Sequence, residues 1–260
     1  MNVKGAAGLL AIIASATMMS GQTAAAGAPP QAVNAGFTKM VLNEDFQNFD
    51  IHHPERDSVA WRPLGVSVSE RWFSVNDGVL TITTPPSSKH GAVASLTTQG
   101  AGTDETHQDF LFGYFEARLR FDWNPDNWDS FWLMSGLVGK PGRSCEIDIM
   151  EPQSNDSTYI GTVHDWDSGK RLKMAFSKIQ LPRSARFSEW NTFGALWQPG
   201  KISWYFNNRL VGSQNTPEIC DHDRLNLIVS ACKQGGDEDQ KLQVKWIHVY
   251  QSSADAGGSR

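Results

Sequence analysis

Along residues 111–121 the chain alternates: Leu111, Phe115, Ala117, Leu119 and Phe121 fall on one parity, while Glu116, Arg118 and Arg120 fall on the other. A period of two belongs to a half-buried strand, with one face on a core and the other toward water, and an α-helix cannot satisfy it. The pattern recurs at 78–83, 92–98, 158–164, 192–197 and 225–229. Residues 202–206 meet 209–211 through Asn207-Asn208, a pair that tolerates the positive φ of a two-residue hairpin turn. No stretch shows a convincing amphipathic helical period. Many short strands with turns between them predict an all-β, two-sheet sandwich, and ten Trp with 40% hydrophobic residues are enough for one sizeable core.

One strand is unusual. In Cys145-Glu146-Ile147-Asp148-Ile149-Met150-Glu151-Pro152, three carboxylates interrupt a β-branched apolar run. Glu146 and Asp148 share a face, and Ile147 and Ile149 point the other way. Glu151 lies five positions from Glu146 and is out of phase, unless a β-bulge at Ile149-Met150 absorbs one residue and brings all three acids together. Acids alternating on an edge strand can be no more than a solvated face. A row of three in phase also has a chemical use. Glycoside hydrolysis takes one carboxylate as nucleophile or base and a second, kept protonated, as acid to the leaving oxygen. Asp148 between them would orient the nucleophile and keep the working pKa values apart.

Glu-Ile-Asp-Ile-Met-Glu resembles the catalytic signature of glycoside hydrolase family 16 in its longer, bulged form, as in laminarinase- and agarase-like endo-glycanases. The flanks are similar to that family as well: 112–118 before the site, 130–134 just upstream, 41–46 as a first strand and 244–250 as a last. The resemblance implies a β-jelly roll with a concave glycan-binding cleft. It implies Glu146 as nucleophile, Glu151 as general acid/base and Asp148 as the residue that tunes them, in an endo-acting enzyme that retains anomeric configuration. The expected substrate is β-1,3- or mixed β-1,3-1,4-glucan. Agar- or carrageenan-type galactans, transglycosylation, or glycan binding without catalysis remain alternatives.

Indole rings stack on the C–H faces of sugars, so Trp128, Trp132 and Trp166, close to the acid strand in sequence, are candidate substrate platforms. Trp72, Trp190, Trp197, Trp204 and Trp246 are assigned to packing. His164 resembles the family's histidine beside the acids and is expected to hydrogen-bond in the catalytic centre. No metal site is expected. Asp165 and Asp167 offer too few oxygens for a calcium motif, and no cofactor is required, although family members often carry a structural calcium.

The amino terminus reads as a secretory signal peptide over residues 1–26: Lys4, an apolar core, then Ala24-Ala25-Ala26. A linker is expected at 27–36, the catalytic domain at 37–251 and a flexible tail at 252–260, in a monomer that is secreted or periplasmic. The net charge of −5 becomes one unit more negative when Lys4 is removed, which disfavours a nucleic-acid partner. A polysaccharide is the expected partner, and no stretch is apolar and long enough to span a membrane. Of the three cysteines, Cys220 and Cys232 flank a strand and could bridge its ends, whereas Cys145 has the core phase of a buried thiol. The polar loop 99–108 could border a cleft or carry no role.

Overall fold

The computed structural model describes residues 27–49, 61–64, 70–84, 92–99, 108–136, 141–153, 155–234 and 239–253. The signal segment 1–26, most of the loop 99–108 and most of the tail 252–260 lie outside the described residues. In chain order the elements are α1 (Pro30–Asn34), β1 (Lys39–Glu44), β2 (Arg62–Leu64), β3 (Phe73–Asn76), β4 (Val79–Thr83), β5 (Ala92–Thr97), β6 (Asp109–Phe110), β7 (Gly113–Phe121) and β8 (Ser130–Met134). They continue as β9 (Arg143–Pro152), β10 (Thr158–Asp167), β11 (Lys170–Gln180), β12 (Asn191–Gln198), β13 (Lys201–Phe206), β14 (Arg209–Asn215), β15 (Leu225–Lys233) and β16 (Lys241–Gln251).

Two antiparallel sheets result, as the alternation demands. One runs β14-β13-β12-β7-β16-β4-β3 with β1 added to β16. The other runs β11-β10-β9-β8-β15-β5-β2 with β6 added to β15. Their inner faces make one core: Phe115, Ala117, Leu119 and Phe121 of β7 join Ile147, Ile149 and Met150 of β9 and Leu227 and Val229 of β15. Each large apolar side chain removed from water there contributes about 1.5–3 kcal/mol. The β13–β14 hairpin turns at Asn207 (φ 46°) and Asn208 (φ 63°), the left-handed pair that a primed turn needs.

Two expectations change. Residues 27–36, read as a linker, contain α1, which begins at a Pro-compatible position and buries Ala32 among Phe37, Tyr114, Leu196 and Tyr250. A single turn of helix is too short to leave a periodic signal. The disulfide is Cys145–Cys220, not Cys220–Cys232. Cys145 and Cys220 are both fully buried, and the 3-10 turn Glu218–Asp221 packs against β9. Cys232 instead shares the outward parity of Ser230 on β15 and is free. Trp197 and Trp204 lie in the core as assigned and Trp72 packs against it, while Trp190 and Trp246 are half-buried on the outer face, under the Arg120 guanidinium and against the His248 ring.

Candidate active site

The acids share one face because β9 carries the expected bulge. On β10, Ile160 stands opposite Glu151 and Thr162 opposite Asp148, so Gly161 alone faces Ile149 and Met150. On β8, Phe131 faces Met150 and Trp132 faces Asp148. Ile149 and Met150 both turn into the core, at 1% and 0% exposure, and the phase of Glu151 is restored to the outer face. Gly161 has a reason to lack a side chain: a Cβ there would meet the Trp204 indole at 2.2 Å from Nε1. Trp204 crosses the core from the other sheet, and its Nε1–H donates to the Asp148 carbonyl oxygen at 2.9 Å. An unpaired buried carbonyl at a bulge costs about 1–3 kcal/mol, so this indole holds the acid strand in its bulged shape. The packing role assigned to Trp204 therefore missed a second task, for which no sequence signal exists.

Each glutamate holds one indole N–H. Trp166 Nε1 donates to Glu146 Oε2 at 3.0 Å, and Trp128 Nε1 donates to Glu151 Oε1 at 2.7 Å. His164, opposite Glu146 on β10, stacks on Trp166 and sets its Nε2 3.1 Å from Asp148 Oδ2 and 3.9 Å from Glu146 Oε1. Trp132 lies on the same face and donates to Ser230 Oγ at 3.0 Å. The structure thus brings together Glu146, Asp148, Glu151, Trp128, Trp132, His164 and Trp166. Asp165 and Asp167 are not part of the group: Asp165 is buried in a two-bond pair with Arg143, and Asp167 is exposed.

Burial decides the protonation of the row. It pushes the Glu146 carboxyl up to about 8, with the Asp148 charge adding to the rise and His164 and the Trp166 N–H opposing it. Asp148 is raised well above the usual carboxylate range, by burial first and by the Glu151 charge second. Glu151 is raised by burial and held back by the Trp128 N–H and His164. Burial lowers His164, against the pull of Glu146 and Glu151, so the ring favours its neutral form. Three carboxyls raised together can carry one negative charge near neutral pH while keeping a proton to donate. The upward shift at Glu146 by itself disfavours a free carboxylate there. His164 and the Trp166 N–H are the contacts that favour its ionised form. Glu146, Asp148 and His164 also bring one potential ligand atom each within 4.8 Å, a set that could hold a cation.

The loop before β8 places Trp128. Asp129 is fully buried and accepts from the Cys232 backbone N–H at 3.0 Å and from Asn127 Nδ2 at 3.1 Å, while the Trp128 backbone N–H donates to Cys232 O at 2.8 Å. Burial pushes Asp129 up to about 7, and those two donors oppose the rise. Met174 and Phe176 of β11 were also missed. They stand opposite His164 and Thr162, on the face of the acids, at 46% and 50% exposure. The alternation of Leu172, Met174 and Phe176 with Lys173 and Ser177 was the available signal. Across the sheet, Trp132, Asp148, Thr162 and Phe176 form one row of register partners on successive strands.

Comparison with known proteins follows the same line. The family model described as glycosyl hydrolases family 16 matches residues 67–247. The Endo-1,3-1,4-beta-glycanase ExsH of Rhizobium meliloti (strain 1021) is 30% identical over 195 residues, which is 70% of this chain and 40% of that protein. The Endo-1,3-1,4-beta-glycanase EglC of the same organism is 30% identical over 201 residues, with the same shares. The chain thus spans about 40% of the length of these curated relatives. Among solved structures, the catalytic domain of an endo-1,3-beta-glucanase (laminarinase) from Thermotoga petrophila RKU-1 superposes with a TM-score of 0.65 at 19% identity, covering 83% of this chain and 98% of that one. A Bacteroides ovatus mixed linkage glucan GH16 structure gives 0.64 at 16% identity, covering 80% and 99%. At such identity the likeness to these structures speaks for the jelly-roll fold.

Proposed function

The chain belongs to glycosyl hydrolases family 16, and from that premise we propose that it is an endo-acting hydrolase of β-1,3- or mixed β-1,3-1,4-glucan that retains anomeric configuration. The observation that carries this reading is the bulged β9, which sets Glu146, Asp148 and Glu151 on one face with an indole N–H on each glutamate. Glu151, protonated, gives its proton to the glycosidic oxygen while the Glu146 carboxylate attacks the anomeric carbon and forms a glycosyl-enzyme. Glu151, now ionised, then takes a proton from the water that releases the sugar. Asp148, whose Oδ2 lies 3.1 Å from His164 Nε2, sits between the two glutamates and orients Glu146. Trp128, Trp132 and Trp166 line the path of the glycan, and Phe176 extends it across the sheet. The printed names of the two Rhizobium meliloti relatives favour glucan over galactan.

On this reading the chemistry needs no cofactor, and the protein acts as an exported monomer. Purified protein incubated with laminarin, lichenan, agarose and carrageenan is expected to release new reducing ends from the first two. NMR of the first-formed product is expected to show the β-anomer. An α-anomer would withdraw the nucleophile role of Glu146, and activity confined to agarose or carrageenan would withdraw the glucan assignment.

A further inference from the structure

The two sheets face outward in opposite directions, and the face away from the acids carries an open trough. Helix α1 forms one wall, and the ends of β12, β13 and β14 form the floor and the other wall, around about 460 Å³. That volume is within the usual range of ligand sites. Gln31, Asn34, Gln198 and Asn208 contribute four side-chain amides, and Tyr205 and Leu210 contribute apolar surface. Leu210 is 61% exposed, the highest exposure of any large hydrophobic side chain among the described residues. The trough is fixed in shape. Ala32 anchors α1 in a small core with Tyr114 and Leu196, and Gln31 Nε2 donates both to Tyr114 Oη at 2.7 Å and to Asn208 Oδ1 at 3.1 Å, tying the helix to the hairpin turn. The Tyr205 ring is set edge-on against Tyr114 with centroids 5.7 Å apart, so packing and not solvent fixes its orientation.

The chemistry of this lining selects an uncharged, hydroxyl-rich ligand. None of the nine lining residues carries a charge, which gives an anion or a cation nothing to pair with. Amides both donate and accept, and so match sugar hydroxyls, while an aromatic ring beside an exposed leucine matches the C–H face of a pyranose. An open trough suits a long chain laid along the surface, as a polysaccharide is. We propose that this trough is a second glycan-binding site, distinct from the acid row, that holds a neutral stretch of the β-glucan being cut. The choice of β-glucan rests on the function proposed above. Binding at two faces of one molecule raises the residence of the enzyme on a long chain without touching the chemistry at β9.

The test separates binding from cutting. The full chain with Glu146→Gln, which does not digest its ligand, is run through native gels containing soluble β-glucan, alone and in combination with Tyr205→Ala or Leu210→Ser. Each added substitution is expected to weaken retardation about two- to tenfold. Tyr205→Ala in the active chain is expected to keep its kcat/KM on a short oligosaccharide and to lose activity on insoluble glucan. Retardation unchanged by both substitutions would overturn the proposal, as would retardation abolished by an oligosaccharide that fills the acid cleft. Loss of kcat/KM on the short substrate in both variants would overturn it too, because the trough would then act on the catalytic face. A chain that binds glucan through the trough yet releases no reducing ends would sink the hydrolase reading and leave the second site standing.

Discussion

Both outer faces of this sandwich carry a histidine stacked on a tryptophan and set opposite a glutamate. On one, His164 stacks on Trp166 at 5.4 Å and faces Glu146 across the β9–β10 ladder. On the other, His248 stacks on Trp246 at 4.3 Å and faces Glu116 across the β7–β16 ladder, with Nδ1 3.7 Å from the carboxylate. The local recipes are nearly the same, and the strands that continue them are opposite. After Glu146, β9 sets Asp148 and, through its bulge, Glu151 on the same face. After Glu116, β7 sets Arg118 and Arg120 there. On the proposed function, a carboxylate–histidine pair alone lacks the second carboxyl that glycoside hydrolysis needs. What distinguishes β9 is that Asp148 and Glu151 share the face of Glu146, and the charge of each raises the proton affinity of that carboxyl.

The largest effect that can break this comparison comes from the glutamates. Glu146→Gln is expected to lose nearly all hydrolysis. Glu151→Gln is expected to lose about 10²–10⁴-fold on glucan. On a substrate with an activated leaving group, Glu151→Gln should still form the glycosyl-enzyme, because the departing group then needs no acid. A burst of leaving group from Glu151→Gln and none from Glu146→Gln would support the roles. The reverse pattern would exchange them.

Next in size is Trp204→Phe, which keeps the ring against Gly161 but removes the N–H from the Asp148 carbonyl. Stability should fall by about 1–3 kcal/mol, as expected for a buried acceptor left without its donor. Because that carbonyl sits at the bulge, kcat should fall about tenfold with KM nearly unchanged, a split that a purely structural role would not give. Denaturant unfolding and steady-state kinetics on the same preparation read both.

The bulge was legible and the indole that holds it was not, for a physical reason. An offset of five between Glu146 and Glu151 breaks the two-residue period, and only a bulge repairs it. Trp204 is one of several buried aromatics whose partner lies 56 positions away, and no local pattern marks which carbonyl it meets. The same limit applies to the cysteines. The inward parity of Cys145 was legible from its alternation with Glu146, but its pairing with Cys220 depends on where a 3-10 turn 75 residues later is packed. The aromatic set near the acids was legible because Trp128 and Trp166 flank the strand in sequence. Phe176 escaped because it lies on an edge strand, β11, where Leu172, Met174 and Phe176 are exposed, so their alternation does not report burial.

A smaller but graded effect is expected from pH. The carboxyl of Glu146 moves from the ordinary 4.5 up to about 8 on folding, so the folded chain binds a proton there more tightly than the unfolded one. The stability tied to that proton is complete below about 4.5 and is lost as pH rises toward about 8. Glu146→Gln removes the titration, so its melting temperature should exceed that of the parent at pH 8 and approach it at pH 4. Activity should follow a bell with both limbs displaced upward from the usual carboxylate range, because Glu146 must be ionised while Glu151 keeps its proton. Melting curves of the two chains that remain parallel from pH 4 to 8 would contradict a buried, proton-retaining Glu146.

The smallest expected effect is the one that bears most directly on the two faces. Glu116→Gln keeps the size and most of the hydrogen-bonding capacity of a side chain that is only 5% exposed, and it removes the charge beside His248. Arg118 and Arg120 follow on the same strand, and Arg120 is already engaged with Gln243 Oε1 at 2.8 Å and with the Trp190 ring. No second acid follows Glu116 on that face of β7, so no shared proton is disturbed. The substitution should therefore leave kcat/KM on glucan within about twofold, and it should shift the melting temperature by no more than a single part-buried pair accounts for, about 1–3 °C. Kinetics of Glu116→Gln beside Glu146→Gln in one assay decide the point. A loss approaching that of Glu146→Gln would mean that the second histidine–glutamate pair supports catalysis through the core, and the distinction drawn here between a lone pair and an acid row would fail.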